Sequence, residues 1–195
     1  TVIEINPAFV QAIAEQPVVA SLLKNPKVTI IFDDGRRFLR RTEKRFDVII
    51  QNTIVHWRAH ATNLLSREYL GLTKARLKAG GRLFINSTSS AQAHKTLVTV
   101  FPYAMRFQNM IIAGNESIVV SGNRFNKLLL RWKIDGRAVI PESFRGQNFY
   151  RVLIKPKWNG VPSWETRADI VARTMSEKVI TDGNMLTEFD RTESY

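Results

Sequence analysis

The chain opens on Thr1-Val2-Ile3-Glu4-Ile5-Asn6-Pro7, a short apolar strand that ends in an acid and runs straight into a helix start. Where parallel strands alternate with helices, ligands sit beyond the carboxyl ends of the strands, and a carboxylate at the tip of the second strand accepts hydrogen bonds from ribose hydroxyls. Glu4 stands at that position. A carboxylate that merely faces the positive end of the following helix is the other reading of Glu4. A glycine-rich turn ordinarily precedes the ribose-binding acid by roughly 20 residues, and Thr1 leaves no room for it. The stretch is therefore expected to be the second strand of a nucleotide-type domain that lacks its first strand and phosphate-side loop.

Working outward, strand and helix signals alternate, which favours a mostly parallel sheet flanked by helices. Asn6 suits an N-cap and Pro7 the first helical turn, with Phe9, Val10, Ile13 and Ala14 at helical spacing. Lys27–Phe32 reads as a strand closed by Asp33-Asp34-Gly35, and Arg36–Lys44 as a short basic helix. Phe46-Asp47-Val48-Ile49-Ile50 reads as a strand buried on both faces. Ser66 is placed to cap a helix carrying Tyr69, Leu70, Thr73 and Leu77, with Gly80-Gly81 as its left-handed end. Arg82–Asn86 reads as the next strand, Ser87–Ser90 as a capping turn, and Ala91–Phe101 as a helix. Met105–Ala113 and Ser117–Ser121 read as an antiparallel hairpin turning at Gly114-Asn115-Glu116. Leu128–Ile134 fits either helix or strand, Lys155–Ser163 resembles a linker, and Thr166–Val179 fits an amphipathic helix with Ile170, Val171, Thr174 and Met175 inward.

The 195 residues fit one domain, with a core of sheet and helices over 1–121 and a C-terminal extension over 122–195. With 44% hydrophobic and 24% charged residues the composition is that of a globular protein, and no apolar run reaches membrane-span length. The absence of cysteine excludes disulfides and thiolate metal sites and suits a cytoplasmic location. A formal net charge of +12 would attract nucleic acid, anionic lipid or acidic metabolites. Much of it lies in Arg36, Arg37, Arg40, Arg41, Lys44 and Arg45, which form either a solvated helix face or a membrane-proximal one.

Taken in order, Val2-Ile3-Glu4-Ile5-Asn6-Pro7, Asp34-Gly35-Arg36-Arg37-Phe38-Leu39, Phe46-Asp47-Val48-Ile49-Ile50, Leu65-Ser66-Arg67-Glu68-Tyr69-Leu70 and Leu77-Lys78-Ala79-Gly80-Gly81 resemble the spermidine synthase family, aminopropyltransferases on the class I methyltransferase fold. The tail Ile180-Thr181-Asp182-Gly183-Asn184 is most similar to the soluble domain of bacterial proteins that fuse such a domain to membrane helices. The resemblance implies an α/β, Rossmann-like, three-layer fold with a mixed sheet and an antiparallel edge hairpin, truncated at the N-terminus. It implies that Glu4 binds ribose hydroxyls, Ile5 packs on an adenine face, and Asp34, with Gly35 allowing close backbone approach, accepts from the adenine amino group. A plain turn after a strand is the alternative for Asp34-Gly35. Asn52 joins this ligand set. The implied ligands are decarboxylated S-adenosylmethionine, S-adenosylmethionine or methylthioadenosine, with no tightly bound cofactor and no metal.

Family members carry two aspartates in the loop after the strand matched by Phe46–Ile50, which hold the polyamine cation and help deprotonate the attacking amine. This chain has Asn52 and Val55 at those positions. An amide is no general base and valine has no polar atom, so an ordinary diamine acceptor is not expected. The expected function is transfer of an aminopropyl or related group. The alternative is a non-catalytic module that senses a nucleoside or associates with membrane partners. Nucleic-acid binding or methylation, supported by charge alone, is the least favoured. An exposed edge beside Thr1–Ile5 points to a homodimer. His56 and His60 have metal-chelating i, i+4 spacing, though lining a pocket or replacing the missing base are alternatives. Trp57, Trp132, Trp158 and Trp164 could stack on single-stranded nucleic acid, but core and lid packing is favoured. No Gly-x-Ser-x-Gly elbow is present.

Overall fold

Asn6 and Pro7 begin a helix as their chemistry requires. The Asn6 side chain accepts from the Ala8 amide at 3.1 Å, and the proline sits where its missing N–H costs nothing. The structure, a computed structural model, describes residues 1–17, 19–52, 58–87, 90–140, 164–186 and 188. The expected linker over Lys155–Ser163 lies outside them. Contacts divide the chain into two compact units, residues 1–43 with 133–137 and residues 44–132 with 138–195.

In the first unit, strand β1 (Val2–Glu4) pairs in parallel with β2 (Ile30–Phe32), joined by helix α1 (Pro7–Ala14) and a 3-10 turn at Ala20–Lys24. Helix α2 (Gly35–Arg41) follows β2 at once, and its Leu39 is buried. Among the described residues β1 pairs with β2 alone.

The second unit is built on a five-stranded mixed sheet. Strand β3 (Phe46–Gln51) is parallel to β4 (Leu77–Asn86), helix α3 (Arg67–Ala75) lies between them in sequence, and helix α4 (Ala91–Val100) follows. Strands β5 (Tyr103–Phe107) and β6 (Met110–Gly114) form an antiparallel hairpin that enters the sheet through β6, giving the order β3-β4-β6-β5. Helix α5 (Gly122–Arg131) belongs to this unit, whereas residues 133–137 of the small hairpin that follows, β7 (Lys133–Ile134) and β8 (Arg137–Ala138), are assigned to the first; the hairpin turns on Asp135 and Gly136 at φ 50° and 78°. Strand β9 (Trp164–Thr166) pairs antiparallel with β5 and extends the sheet, and helix α6 (Arg167–Arg173) packs back over β5 and β9. Leu83 and Ile85 of β4, Ile111 and Ala113 of β6, and Ala104 of β5 are buried, as are Leu70 of α3, Leu97 of α4 and Ile170 of α6.

Four expectations are corrected. Gly80-Gly81 does not end a helix. Helix α3 stops at Ala75, the Arg76 carbonyl accepts from the Phe46 amide at 2.8 Å, and Leu77 already pairs with Phe46. While β3 advances from Phe46 to Val48, β4 advances from Leu77 to Arg82, so Lys78–Gly81 form a bulge with Gly80 at φ 71°. The hairpin turns at Gln108-Asn109 rather than Gly114–Glu116, with Gln108 at φ 50°. Met175 is 73% exposed because α6 ends at Arg173 and Thr174 turns the chain. Strand β3 is not buried on both faces. It pairs with β4 alone among the described residues, and Val48 and Ile50 are 53% and 71% exposed.

The bulge gives a test. A β-carbon on Gly81 would lie 2.9 Å from the Phe46 carbonyl oxygen and 3.0 Å from that of Lys78, both backbone atoms. Gly81→Ala is expected to destabilise by about 1–3 kcal/mol, the usual range for overpacking. Gly71→Ala, with open space around it in α3, is expected to stabilise by about 0.5–1 kcal/mol. Urea midpoints of the two variants should move in opposite directions.

Candidate functional site

In the first unit the two neighbouring parallel strands end in the expected acidic tips. Glu4 closes β1, its carbonyl accepts from the Asp33 amide at 3.2 Å, and Asp34 follows two residues after β2. Each carboxylate has one oxygen engaged locally. Glu4 Oε1 accepts from the Asn6 amide at 2.7 Å, and Asp34 Oδ1 caps α2 by accepting from the Arg37 amide at 2.7 Å. The local readings of these residues, a helix-end contact for Glu4 and a turn after a strand for Asp34-Gly35, therefore describe one oxygen of each. Glu4 Oε2 and Asp34 Oδ2 have no hydrogen bond among the described residues. Ile5 stands beside them at 72% exposure, and Gly35 is half-buried at the start of α2.

Asp33 is the member of this cluster that sequence reasoning passed over. Its Oδ1 accepts from the Asp34 amide at 2.7 Å and from the Arg37 guanidinium, through both Nε and an Nη. The i, i+4 spacing of Asp33 and Arg37 was the available signal. It fixes the turn that presents Asp34. Arg40 and Arg41 fall in the last turn of α2 and are exposed, where the helix dipole favours cations. That accounts for much of the basic cluster as a solvated helix end.

In the second unit, Asn52 and Asn86 meet at the carboxyl ends of the adjacent parallel strands β3 and β4. Asn86 Nδ2 donates to Asn52 Oδ1 at 3.0 Å. Asn86 was not singled out from sequence because only strand pairing makes it a neighbour. Gln51, beside them, donates from Nε2 to the Leu64 carbonyl at 2.9 Å. One neutral amide, Asn52, thus stands at one of the two positions where the family resemblance implies an aspartate, and a second, Asn86, lies beside it. Val55 and His56 lie outside the described residues. His60 is exposed at φ 64°, and its amide donates to Glu188 Oε1 at 3.0 Å. Among the described residues no three His, Asp or Glu side chains gather as a metal set.

The C-terminal segment is strapped across this end of the unit. Glu188 Oε2 accepts from the buried Thr62 hydroxyl at 2.6 Å, and Asp182 Oδ1 accepts from the buried Ser66 hydroxyl at 2.6 Å. The Arg67 amide donates to the Ile180 carbonyl at 2.9 Å, and the Thr96 hydroxyl accepts from the Ile180 amide at 2.9 Å. The Asp182 amide donates to Glu68 Oε2 at 3.0 Å. Slight burial works to raise the Glu68 pKa, but that amide, its own backbone and Arg67 hold it below the ordinary glutamate value.

Ser87 and His94 have the look of a nucleophile and base but cannot act as one. Arg173, which only donates, bonds His94 Nδ1 at 2.9 Å, so the proton of the neutral ring sits on Nε2 and points at Ser87 Oγ, 2.8 Å away. The Ser87 hydroxyl spends its own proton on the Asn109 carbonyl at 3.0 Å. No lone pair on His94 faces the serine, so the pair is structural. Glu165 anchors the same network, accepting from Arg173 Nε at 2.8 Å and an Arg173 Nη at 2.9 Å, and from Arg106 Nε. Burial works to raise the Glu165 pKa, but the hydrogen bonds from Arg173 and Arg106 and their charges outweigh it and hold it below the ordinary glutamate value. Trp164 packs on Phe107, ring centroids 5.7 Å apart, rather than offering a stacking platform. Trp57 and Trp158 lie outside the described residues.

Alternating parallel strands and helices, an antiparallel hairpin inserted through its second strand, and polar groups at the carboxyl strand ends define an α/β protein of Rossmann-like, methyltransferase type. The model of the spermine/spermidine synthase domain matches residues 1–112, more than half of the chain, and the chain belongs to that family. A polyamine aminopropyltransferase of Clostridium perfringens is 28% identical over 117 residues, covering 54% of this chain and 41% of its own length. One of Streptococcus pneumoniae is 30% identical over 101 residues, covering 47% and 35%. The chain thus spans well under half the length of these curated relatives. Among solved structures, that of MNMC2 from Aquifex aeolicus is similar over 69% of this chain and 48% of its own, at 16% identity and a TM-score of 0.38. Among the described residues no helix is long and apolar enough to cross a membrane.

Proposed function

We propose that this spermidine synthase-like domain binds an adenosyl thioether or sulfonium ligand at the carboxyl ends of β1 and β2. One observation carries the proposal: Glu4 and Asp34 stand at neighbouring parallel strand ends, each with a carboxylate oxygen still available to accept. Glu4 would take the ribose hydroxyls, Ile5 an adenine face, and Asp34 the adenine amino group, with Gly35 leaving room for the base. The chemistry that fits is attack of a nucleophile on the propyl carbon bonded to the sulfonium of decarboxylated S-adenosylmethionine. That bond breaks to the sulfur, and methylthioadenosine leaves.

A second reading has its own support. Asn52 Oδ1 already accepts from Asn86, and neither amide carries the negative charge that would balance a cationic amine or the basicity to remove its proton. This favours an acceptor other than an ordinary diamine, or a domain that binds the nucleoside without turning it over.

Calorimetric titration of methylthioadenosine into the 195-residue chain tests the proposal. Asp34→Ala removes both the adenine acceptor and the α2 cap, whose loss alone costs about 1 kcal/mol, so Asp34→Ser, which can still cap, is the sharper variant. Both are expected to weaken binding about 10-fold or more, equivalent to about 1.4 kcal/mol. Absence of heat at millimolar ligand, or equal affinity in Asp34→Ser, would rule the assignment out.

A further inference from the structure

Helix α5 takes no part in the strand-end clusters or the strap. The Ser121 hydroxyl caps it, accepting from the Arg124 amide at 3.4 Å. Phe125, Leu128 and Leu129, at i, i+3 and i+4, share one face, and Arg124, Lys127 and Arg131, at i, i+3 and i+7, form an adjoining basic strip. Leu129 and Leu130 are half-buried, whereas Phe125 is exposed, Leu128 is 58% exposed, and Trp132 directly after the helix is 61% exposed. No acidic residue occurs between Ser117 and Trp132 to balance the three cations.

We propose that α5 with Trp132 is a docking face for an anionic lipid surface. An apolar strip beside a basic strip, with a tryptophan at the boundary, is the arrangement that lies in the plane of a headgroup layer. The apolar side chains enter the acyl boundary, the cations meet phosphates, and the indole sits between the two environments. Charge complementarity selects the lipid surface over a second copy of the chain. A two-fold pairing through this face would bring Arg124, Lys127 and Arg131 against their own copies, with no carboxylate between Ser117 and Trp132 to neutralise them. It also selects lipid over single-stranded nucleic acid, which would meet the cations but leave the exposed aliphatic Leu128 with no apolar environment. Ten residues of helix rise about 15 Å, so the helix lies on the surface rather than crossing it. The inference is independent of the adenosyl-binding proposal.

Co-sedimentation of the full chain with vesicles tests it, comparing phosphatidylcholine alone with phosphatidylcholine containing about one third phosphatidylserine. The chain should sediment with the anionic vesicles only, and less so as salt rises. The triple variant Arg124→Gln, Lys127→Gln, Arg131→Gln should weaken binding about 10-fold or more, each cation contributing a separate headgroup interaction. Leu128→Ser, which keeps every charge, should weaken it several-fold. The charge-matched Lys24→Gln, Arg40→Gln, Arg41→Gln should change it little, and circular dichroism should show all variants folded. A blue shift of fluorescence on adding anionic vesicles should vanish in Trp132→Phe. Equal losses in the two triple variants with none in Leu128→Ser would reduce the effect to net charge and overturn the proposal. Self-association abolished by Leu128→Ser without vesicle binding would overturn it in favour of a second copy. Binding of single-stranded RNA without vesicle binding would overturn it as well.

Discussion

Glu165→Ala is expected to lower the stability of the second unit by about 3–5 kcal/mol, the usual result of removing one partner from a buried ion pair. The cause is the charge left behind. Arg106 is buried, and its Nε hydrogen bond ends on Glu165. The same carboxylate holds Arg173, which in turn fixes the tautomer of His94. Glu165→Gln, which keeps an acceptor but no charge, should cost less. The wild-type pH dependence follows from the lowered pKa. A carboxyl whose folded pKa lies below its unfolded value of about 4.3 contributes stability that is fully present above that value. The contribution is lost as pH falls through the folded value. Urea midpoints measured downward from pH 6 should therefore fall more steeply in wild type than in Glu165→Gln. Parallel curves would remove Glu165 from the account of acid sensitivity.

The second large effect separates two neighbouring strands. Leu83→Ala is expected to destabilise by about 2–5 kcal/mol, because a buried leucine loses its transfer energy and leaves a cavity. Leu83 is fully buried at the centre of β4. Ile50→Ala, one strand away, is expected to cost under about 0.5 kcal/mol, the range for surface substitutions, since Ile50 is 71% exposed. Thermal or urea unfolding of the two variants reads the contrast directly. Comparable losses would mean that Ile50 is covered in solution, and its open edge on β3 would then be the face to examine for a partner strand.

On the adenosyl-binding proposal, the acceptors Glu4 and Asp34 belong to the first unit. The second has a neutral amide, Asn52, at one of the positions where the resemblance implies a carboxylate. Asn52→Asp would add the missing charge and still accept from Asn86 Nδ2, so the Asn86 hydrogen bond need not be lost.

Local chemistry made much of this legible in the sequence. Asn6, Ser66 and Ser90 cap helices because short polar side chains reach the free amides two or three residues on. Glu4 and Asp34 fall at strand ends because apolar runs stop there. The resemblance over those same segments carried the family. What the sequence did not disclose depends on partners far along the chain. Gly80-Gly81 reads as a helix end until pairing of Leu77 with Phe46 makes it a bulge. Val48 and Ile50 read as core, but among the described residues β3 pairs with β4 alone and both side chains are exposed. Asn86 beside Asn52, Glu188 on Thr62 and Glu165 on Arg106 join residues 34 to 126 positions apart. Period, capping and turn chemistry act within a few residues and are written in the sequence. Strand order and long-range charge pairing are decided only when the whole chain packs, because the free energy that selects them comes from burial shared among segments distant in sequence.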